Sequence, residues 1–357
     1  MQPPRRKNTS DSKRKRSSLD RKMSKAIRSA VDKSTTKETR NRQRANLRMF
    51  IEFCAENDIH RKEVFPSSEK LLCFFASSFK GRLSGKTVRR RIGAIKAWHA
   101  RQKMPWHGGD LLKKVLKGVD KATPASSVKE QRPGVKRKWL VYLQEDLDMS
   151  IPKNKAVLAT ADTALYSQLR LGEILSDKKS IEKYDFTSLP AVKHFRDSPE
   201  NETKLLFLPK TKSEPLGVDV VVPHQSNSTN PIKATEEHIR ANKLERKHPL
   251  FAYRDEKGKL VALTRKEFLK VCNQVWKKRG LPRITGHCFR IGGTTHYLLH
   301  GVPPDVVKRF GRWKSDAFLR YWRSLDKLAA SYLENQHGAG WVNKVTFARP
   351  KKSPRRS

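Results

Sequence analysis

The chain has 357 residues, of which 78 are Lys or Arg and only 35 are Asp or Glu, so its formal net charge is +43. This excess repels itself unless a polyanion is bound, which makes nucleic acid the expected partner and an anionic membrane surface the alternative. No apolar run approaches the roughly 20 residues that a membrane span requires, and no secretory signal opens the chain. We therefore expect an intracellular protein without a membrane segment, and the length fits two domains with additional tails.

Both ends of the chain are basic. Residues 1–40 hold 14 Lys or Arg and almost no large apolar residue, a composition typical of a disordered arm. The KRKR run at residues 13–16 indicates a nuclear import signal or a phosphate-binding tail, with a merely solubilising role as the alternative. Residues 348–357 form a second basic tail. If the source is a eukaryote, these runs predict a nuclear protein.

The next segment, residues 41–121, shows helical periodicity of its apolar residues. It predicts four helices, one containing Leu47 and Phe50, and three that begin near Ser68, Ser84 and Asp110. Four helices in about 80 residues form a small bundle. The third helix carries a basic run, which we interpret as a DNA-binding face because balancing acidic residues are absent nearby; a solvated face is the alternative. This run comprises Lys86, Arg89, Arg90, Arg91 and Lys96.

Residues 122–138 are rich in Pro, Ser and charge and lack periodicity, which is typical of a linker. The second domain is predicted to span residues 139–347. Its helices run to Leu175, and β-branched runs at 204–208 and 218–222 then predict a hairpin that ends at Gly217. Further helices are expected over 236–243 and 264–279. The predicted fold class is mainly α with a small antiparallel β-sheet, in an α+β arrangement.

Four scattered cysteines, Cys54, Cys73, Cys272 and Cys288, show no Cys-x-x-Cys spacing. Cysteines of this kind are usually small buried side chains. We therefore predict reduced core thiols and no structural zinc.

The segment from Thr285 to Tyr321 holds the densest group of residues suited to chemistry. His287 and Arg290 lie at the start of a predicted helix that Gly301 ends, and Trp313 follows a second helix that ends at Gly311. Tyr321 falls at the edge of the apolar stripe of a third helix, a position from which a phenol can reach a cleft.

The pattern His287-x-x-Arg290, Gly-x-Trp313 and Tyr321 resembles the C-terminal signature of the tyrosine recombinases, the phage-integrase family. The segment GRWKSDAFLRYWR is most similar to sequences of the branch found in eukaryotic, fungal-type mobile elements. The step from Trp313 to Tyr321 is eight residues, where the family usually has one residue more. Upstream, Arg170 followed by Glu173 resembles the first arginine box of the family.

This resemblance implies a fold and a set of roles. Residues 41–121 would be a helical, SAM-like core-binding domain, and residues 139–347 the catalytic domain. The hairpin would carry the catalytic lysine, for which Lys212 fits the family pattern and Lys210 is the alternative. The catalytic set is Arg170, Lys212, His287, Arg290, Trp313 and Tyr321.

In this set, Arg170 and Arg290 would bind the non-bridging oxygens of a phosphodiester, because guanidinium groups match that geometry. His287 and Trp313 would add hydrogen bonds. Tyr321 would attack phosphorus, its phenolate favoured by nearby cations, and Lys212 would protonate the departing 5′-oxygen. The resemblance implies a 3′-phosphotyrosyl intermediate without a metal, ATP or other cofactor.

The expected function is site-specific recombination or integration of a mobile element on double-stranded DNA, by a dimer or tetramer assembled on DNA. Two alternatives are a type IB topoisomerase-like relaxation activity and a catalytically silent DNA-binding protein. Tyr297 and Tyr332 are the rival tyrosines, of which the first lies out of order and the second belongs to an apolar stripe. Residues after Tyr321 would dock on a neighbouring protomer, or else fold back on their own domain.

Overall fold

The computed structural model describes residues 9–128, 130–200 and 202–321. The chain divides into two compact units, of which the first ends at Glu130 and the second begins at Gln131. Helices predominate, and the strands form two small antiparallel sheets, so the predicted α+β class is confirmed. Within the described ranges, no helix is long and apolar enough to cross a membrane.

The basic arm is helical where its composition indicated disorder. Helix α1 spans Thr9–Lys33. Leu19, Met23, Ile27 and Val31 recur on it at every fourth position and are exposed. Residues at this spacing lie on one side of a helix, so the few apolar residues of the arm form a single stripe. Composition alone does not show this pattern, because the charged residues of the segment outnumber its large apolar residues.

The first unit contains the four helices that the apolar periodicity predicts, namely α2, α4, α5 and α6. Their aromatic side chains meet in one core, where the Phe50 ring contacts those of Phe65 and Phe75 at centroid distances of 5.9 and 5.0 Å. The helices are α2 Lys37–Glu56, α3 Arg61–Val64, α4 Glu69–Ser77, α5 Gly85–Gln102 and α6 Asp110–Lys121, followed by a 3₁₀ turn at Ala125–Ser127.

Helix α6 begins at Asp110, where the sequence predicts its start, but the Asp110 side chain does not cap it. Asp110 is the first helical residue, and its carboxylate instead pairs with Lys113 at 2.8 Å. The backbone N–H groups of Gly109 and Leu112 donate to Glu69 Oε1 at 2.7 and 3.0 Å. A carboxylate from α4 therefore satisfies the helix start, which also ties the two helices together.

The second unit consists of seven helices and five strands among the described residues. The helices are α7 Arg137–Asp146, α8 Pro152–Tyr166, α9 Leu171–Ile174, α10 Pro231–Ala241, α11 Arg265–Lys278, α12 His287–Leu299 and α13 Pro304–Phe310. Three 3₁₀ turns lie at Ile181–Lys183, Val192–His194 and Asp316–Tyr321. The strands are β1 Phe195–Asp197, β2 Lys204–Leu208, β3 Val218–Val222, β4 Ala252–Arg254 and β5 Leu260–Ala262.

Strands β2 and β3 form the predicted hairpin with the predicted bounds. Leu206 pairs with Val220, and both side chains are buried. Strand β1 adds to the outer side of β2, and β4 pairs with β5 in a separate antiparallel sheet. The sequence pattern missed these three-residue strands because they are too short to show alternation.

The core of the second unit includes part of the stretch interpreted as a linker. Val135 is buried, and its backbone N–H donates to the Cys288 carbonyl at 3.0 Å. Trp276 donates its indole N–H to the Trp139 carbonyl at 2.7 Å. Residues from about 135 onward thus belong to the packed unit, because the apolar Val135 side chain, although it lies in a polar stretch of sequence, packs into the core and its backbone bonds to α12.

All four cysteines are free and buried, as predicted. Burial raises the pKa of the Cys54 thiol to about 11, and it also raises the pKa of Cys272. The Cys54 and Cys272 thiols are therefore protonated, and all four buried cysteines act as small apolar side chains.

Candidate active site

The first arginine of the site follows a sharp turn at the end of α8. Gln168 adopts a left-handed conformation with φ 47°, which is uncommon for a residue other than glycine. The turn makes Arg170 the N-cap of the short helix α9. Both the backbone N–H and the guanidinium of Arg170 donate to the Glu173 carboxylate, at 3.1 and 2.6 Å. The Arg170 side chain remains 36% exposed, so one side of it faces solvent.

The second arginine, Arg290, lies on α12 and is completely buried. Its Nη1 donates to the Gln168 carbonyl at 2.6 Å, and its Nη2 donates to the Gly311 carbonyl. The guanidinium carbon also lies 4.1 Å from the centroid of the Trp313 ring. Arg290 thus connects the turn that carries Arg170 to the turn that carries Trp313.

Two glycines allow this close packing. A Cβ on Gly293 would lie 2.1 Å from the Leu165 carbonyl oxygen, so only glycine lets α12 approach the end of α8. A Cβ on Gly311 would lie 2.4 Å from the Trp313 indole nitrogen and 2.6 Å from Gln168 Oε1. Larger residues at either position would disrupt the close packing of α8, α12 and the Gly311 turn.

Glu173 links a third arginine to the site. Its buried carboxylate accepts from Arg170 and also from Arg312 Nη2 at 2.9 Å. Burial by itself would raise the pKa of Glu173, but the charges of Arg312 and Arg170 outweigh it and hold the pKa below its usual range. Glu173 is therefore ionised and orients two guanidinium groups at once.

The hairpin turn that carries Lys212 is held against the Trp313 turn. Thr211 is buried, and its hydroxyl accepts from the backbone N–H groups of Ser213 and Glu214 at 3.3 and 3.0 Å. Lys314 donates to the Ser213 carbonyl at 3.0 Å and pairs with Glu214 at 3.2 Å. This places the turn around Lys212, whose side chain is exposed, beside the residues that follow Gly311.

Lys210, the alternative lysine, is also exposed but has a different neighbour. The pKa of the Asp185 carboxyl is lowered by hydrogen bonds from Thr187 and Ser188, and the charge of Lys210 contributes further to this lowering. Lys210 thus lies within electrostatic reach of Asp185. It is close to the end of strand β2, whereas Lys314 contacts the later part of the turn, at Ser213 and Glu214.

His287 and Tyr321 complete the predicted set. His287 is the half-buried first residue of α12, one helical turn before Arg290. Tyr321 is the last residue of the 3₁₀ helix Asp316–Tyr321, which packs against α12. The buried side chain of Phe318 and the ion pair between Lys308 and Asp316 at 2.7 Å anchor this short helix. The rival Tyr332 and the expected docking segment lie outside the described residues.

The other rival, Tyr297, serves the core. Its hydroxyl donates to the Tyr166 carbonyl at 2.6 Å, and its ring packs edge-on against Phe310 at 5.2 Å. Burial raises the pKa of Tyr297 far above its usual value, so its phenol stays protonated. Tyr297 therefore lacks the exposure and the ionisation that a nucleophile requires.

A cavity of about 470 Å³ lies beside the Trp313 turn. Its walls come from the hairpin turn, including Glu214 and Val218, and from α13 with the residues after it. Four of the lining residues are cationic and two, Glu214 and Asp305, are acidic, so the lining keeps a net positive charge that suits an anion. These cations are Lys308, Arg309, Arg312 and Lys314.

The basic face predicted on α5 belongs to the first unit. Lys86, Arg90 and Lys96 are exposed as expected, whereas Arg91 is half-buried over the Phe79 ring at 4.4 Å. Arg89 pairs with Asp120 of α6 at 3.0 Å. The expectation that balancing acids are absent is therefore wrong for Arg89, because α6 brings Asp120 beside α5 from a distant part of the sequence.

Of the predicted site residues, the structure joins Arg170, Arg290 and Trp313 in one network. It places the Lys212 turn next to them, and it places His287 on the same helix as Arg290. Sequence reasoning missed Arg312 and Gln168. The available signal for Arg312 was its spacing, since it stands nine residues before Tyr321, the step that the resemblance leads one to expect.

No sequence-family profile matches the chain, and neither does any curated protein sequence. Solved structures do resemble it. The Tn1549 transposon integrase in complex with transposon right end DNA is 15% identical, with 88% of this chain and 98% of that chain covered and a TM-score of 0.52. The XerH site-specific recombinase bound to palindromic difH substrate, in a post-cleavage complex, is 16% identical over 75% of this chain and 73% of that one, with a TM-score of 0.50.

These identities are low, so the likeness concerns the fold. It extends over most of the chain. The conclusion is that this chain has the fold of the tyrosine recombinases and integrases.

Proposed function

We propose that the protein is a tyrosine recombinase that cleaves and rejoins double-stranded DNA at specific sites through a 3′-phosphotyrosyl intermediate. The observation that carries the proposal is the arginine network. Arg170 and Arg290 come from sequence positions far apart, yet the Gln168 carbonyl accepts from Arg290 directly beside the Arg170 turn, and Glu173 holds the Arg170 guanidinium. Burying the Arg290 guanidinium is costly unless its charge is used, and the partly exposed Arg170 beside it can bind a phosphodiester, the matching anion.

In the proposed reaction, Tyr321 Oη attacks the scissile phosphorus and the bond from phosphorus to the 5′-oxygen breaks. Lys212 gives its proton to the departing 5′-oxygen, while Arg170, Arg290 and His287 stabilise the charge on the non-bridging oxygens. The 5′-hydroxyl of another strand then attacks the phosphotyrosine, and Tyr321 leaves. The energy of the broken phosphodiester is kept in the new linkage, so the rejoining step needs no added energy source.

The geometry supports Lys212 over Lys210 in this role. The Lys314 contacts tie the part of the turn around Ser213 to the residues that follow Trp313. Lys210 lies instead within electrostatic reach of Asp185, away from the part of the turn that Lys314 binds.

The wider assignment rests on the resemblance and the charge. We propose integration or recombination of a mobile element, of the eukaryotic fungal-type branch, with the nucleus as the location. We also propose that two or four copies assemble on DNA. The related structures support DNA as the partner, since the integrase is in complex with transposon right end DNA and the recombinase is bound to a palindromic difH substrate.

The test is a search for the covalent adduct. The full chain is incubated with a library of nicked duplexes of random sequence, and protein-bound DNA that survives denaturation is recovered and sequenced. Wild-type protein is expected to form adducts at a defined sequence, and Tyr321→Phe is expected to bind that sequence with unchanged affinity but to form none. Tyr297→Phe serves as the matched control and should retain adduct formation.

Other outcomes distinguish the alternatives. Adducts that form without sequence preference, together with relaxation of supercoiled plasmid and no joining to a second duplex, would favour a topoisomerase-like activity. Sequence-specific binding without any adduct would indicate a silent DNA-binding protein. An adduct that persists in Tyr321→Phe would refute the assignment of the nucleophile.

A further inference from the structure

We propose that Arg312 is a phosphate-binding residue of the cleft and occupies the functional position that the sequence pattern assigned to Trp313. The inference rests on the proposed function and deepens it by naming a further contact to the scissile phosphate. Arg312 stands nine residues before Tyr321, whereas Trp313 stands eight residues before it. The spacing expected of the family thus falls on Arg312.

The backbone directs Arg312 into the site. After α13 ends, Arg312 adopts a left-handed conformation with φ 55°, and its N–H donates to the Arg309 carbonyl at 2.9 Å. For a side chain with a Cβ, this conformation costs roughly 1–2 kcal/mol. Such strain persists where the surroundings impose it, and functional sites are frequent examples. The side chain is only 11% exposed despite its charge.

The charges around Arg312 leave an excess of positive charge. Glu173 is the carboxylate that it contacts, and the same carboxylate also contacts Arg170. Arg290 of α12 donates to the carbonyl of Gly311, the residue directly before Arg312. Two guanidinium groups therefore share one carboxylate with a third close by, and a phosphodiester, with its single negative charge, would reduce this excess.

Arg312 also has donors that lack acceptors. Nη2 is bound to Glu173, but Nε and Nη1 are buried and have no hydrogen-bond acceptor among the described residues. Each buried donor without an acceptor costs roughly 1–3 kcal/mol. The side chain borders the cationic cavity of about 470 Å³, so an anion entering that cavity reaches these donors after a small movement of the side chain.

Trp313 and Arg290 have different surroundings. The Trp313 ring stacks on the Arg290 guanidinium at 4.1 Å, and both terminal nitrogens of Arg290 donate to main-chain carbonyls. The Trp313 ring thus holds the Arg290 guanidinium in position, and Arg290 in turn holds the Gly311 turn through its hydrogen bond to the Gly311 carbonyl. Arg312 lies directly after that turn; it borders the cavity together with Trp313, but it has charged donors whereas Trp313 has none.

A purely structural role for Arg312 is the competing explanation, because the ion pair with Glu173 alone could account for its burial. The two roles differ in their response to the charge of the substrate. A residue that neutralises a non-bridging oxygen becomes dispensable when a neutral methyl group replaces that oxygen. A residue that only positions Glu173 stays equally important with either substrate.

The experiment measures adduct formation by the full chain on a nicked duplex recovered from the library. The scissile position holds either a phosphate or each diastereomer of a methylphosphonate. Arg312→Ala is expected to slow cleavage of the phosphate by roughly 10²–10³-fold, the usual loss for one donor to a transition-state oxyanion. On one methylphosphonate diastereomer, the loss should fall below about tenfold, because no charge remains there for the guanidinium to neutralise.

Matched variants make the result decisive. Arg312→Lys keeps the charge and should recover part of the rate, and Glu173→Gln should show equal losses on both substrates. Equal losses for Arg312→Ala on phosphate and on both methylphosphonates, or no loss at all, would overturn the inference and leave the proposed function standing. If wild-type protein forms no adduct with any duplex, the proposed function itself fails. Unfolding midpoints of all variants show whether a loss reflects misfolding.

Discussion

Two arginines that lie over aromatic rings illustrate how the two units differ. Arg91 in the first unit lies 4.4 Å from the Phe79 ring centroid and remains half-buried. Arg290 in the second unit lies 4.1 Å from the Trp313 centroid, is fully buried, and donates to two main-chain carbonyls. The first arginine covers a core that the bundle has already closed, whereas the second is part of the interior and joins two turns.

Buried polar groups show the same contrast. In the first unit, Ser67 N–H donates to His99 Nε2 at 2.9 Å, so His99 Nδ1 carries the proton that goes to the Ile95 carbonyl. This histidine has both nitrogens satisfied within the bundle. In the second unit, Arg312 and Asp162 keep buried polar atoms without partners among the described residues. The buried groups without partners among the described residues differ in charge: in the first unit the group is the neutral Trp98 indole N–H, whereas Arg312 in the second unit is a cation that suits an anionic ligand.

The largest expected effect concerns chemistry in the second unit. Lys212→Ala should slow adduct formation by roughly 10²–10⁴-fold, the usual contribution of a general acid. A substrate whose 5′-bridging oxygen is replaced by sulfur has a leaving group that departs without protonation, so it should restore the rate of Lys212→Ala but not that of Tyr321→Phe. The measurement is the rate of adduct formation on both substrates.

Lys210→Ala is the matched control and should behave like wild-type protein on the oxygen substrate. Rescue by sulfur in Lys210→Ala, with none in Lys212→Ala, would show that the acid lies two residues earlier on the hairpin.

The next effect tests the two arginines directly. Arg290→Met removes the donors to the Gln168 and Gly311 carbonyls, each worth roughly 1–3 kcal/mol when left buried and unsatisfied, so we expect a loss of at least about 2 kcal/mol. Arg91→Met removes a half-buried cation–π contact worth about 0.5–1 kcal/mol. Hydrogen exchange followed by mass spectrometry of peptides reports each unit separately in the full chain.

We expect Arg290→Met to weaken the protection of backbone amides against hydrogen exchange mainly in the second unit. Arg91→Met should have a small effect that is limited to the first unit. Similar losses in both variants would mean that Arg290 contributes only packing, as Arg91 does.

Sequence patterns predicted those parts of the molecule that local periodicity determines. The β2 and β3 bounds follow from β-branched runs separated by a turn, and the four bundle helices follow from apolar residues at helical spacing. Both signals come from residues that are close in sequence, so each helix or strand shows its own periodic pattern.

The features that were missed depend on residues far apart in the chain. Glu69 caps a helix 40 residues or more away, and Asp120 neutralises Arg89 over 31 residues. Arg312 meets Glu173 over 139 residues. Periodicity contains no information about such pairs, because they arise only when helices pack. The arginine boxes were recognised by order and spacing, and a stricter use of spacing points to Arg312.

A smaller effect concerns the buried acid of the second unit. Asp162 is fully buried without a partner for either oxygen among the described residues, and burial raises its pKa well above the usual value. The protonated form is therefore favoured in the folded state. Its contribution to stability is complete below the unfolded pKa, about 3.9, and is lost as pH rises toward the folded pKa.

Asp162→Asn removes this ionisation while keeping the shape of the side chain. The stability advantage of the variant should therefore grow with pH, by up to about 1.4 kcal/mol per pH unit. Denaturant unfolding at pH 5 and pH 7 measures this stability difference. Asp148→Asn is the exposed control, because hydrogen bonds from Ser150 lower the pKa of Asp148 instead of raising it. A difference between Asp162→Asn and wild type that does not change with pH would mean that the carboxyl is ionised in the folded protein.

The smallest expected effect concerns the surface of the first unit, where charges face solvent. Lys86 and Arg90 are exposed one helical turn apart on α5, whereas Arg89 is paired with Asp120 at 3.0 Å. If this face contacts DNA phosphates, each lost contact reduces the slope of log K against log salt by about 0.9. The double variant Lys86→Ala and Arg90→Ala should therefore flatten the slope by up to about 1.8 on duplexes of random sequence. Arg89→Ala should change the slope little, because Asp120 already neutralises that charge. A slope that flattens by about 0.9 in Arg89→Ala would show instead that the ion pair with Asp120 opens when DNA binds and that Arg89 also contacts a phosphate.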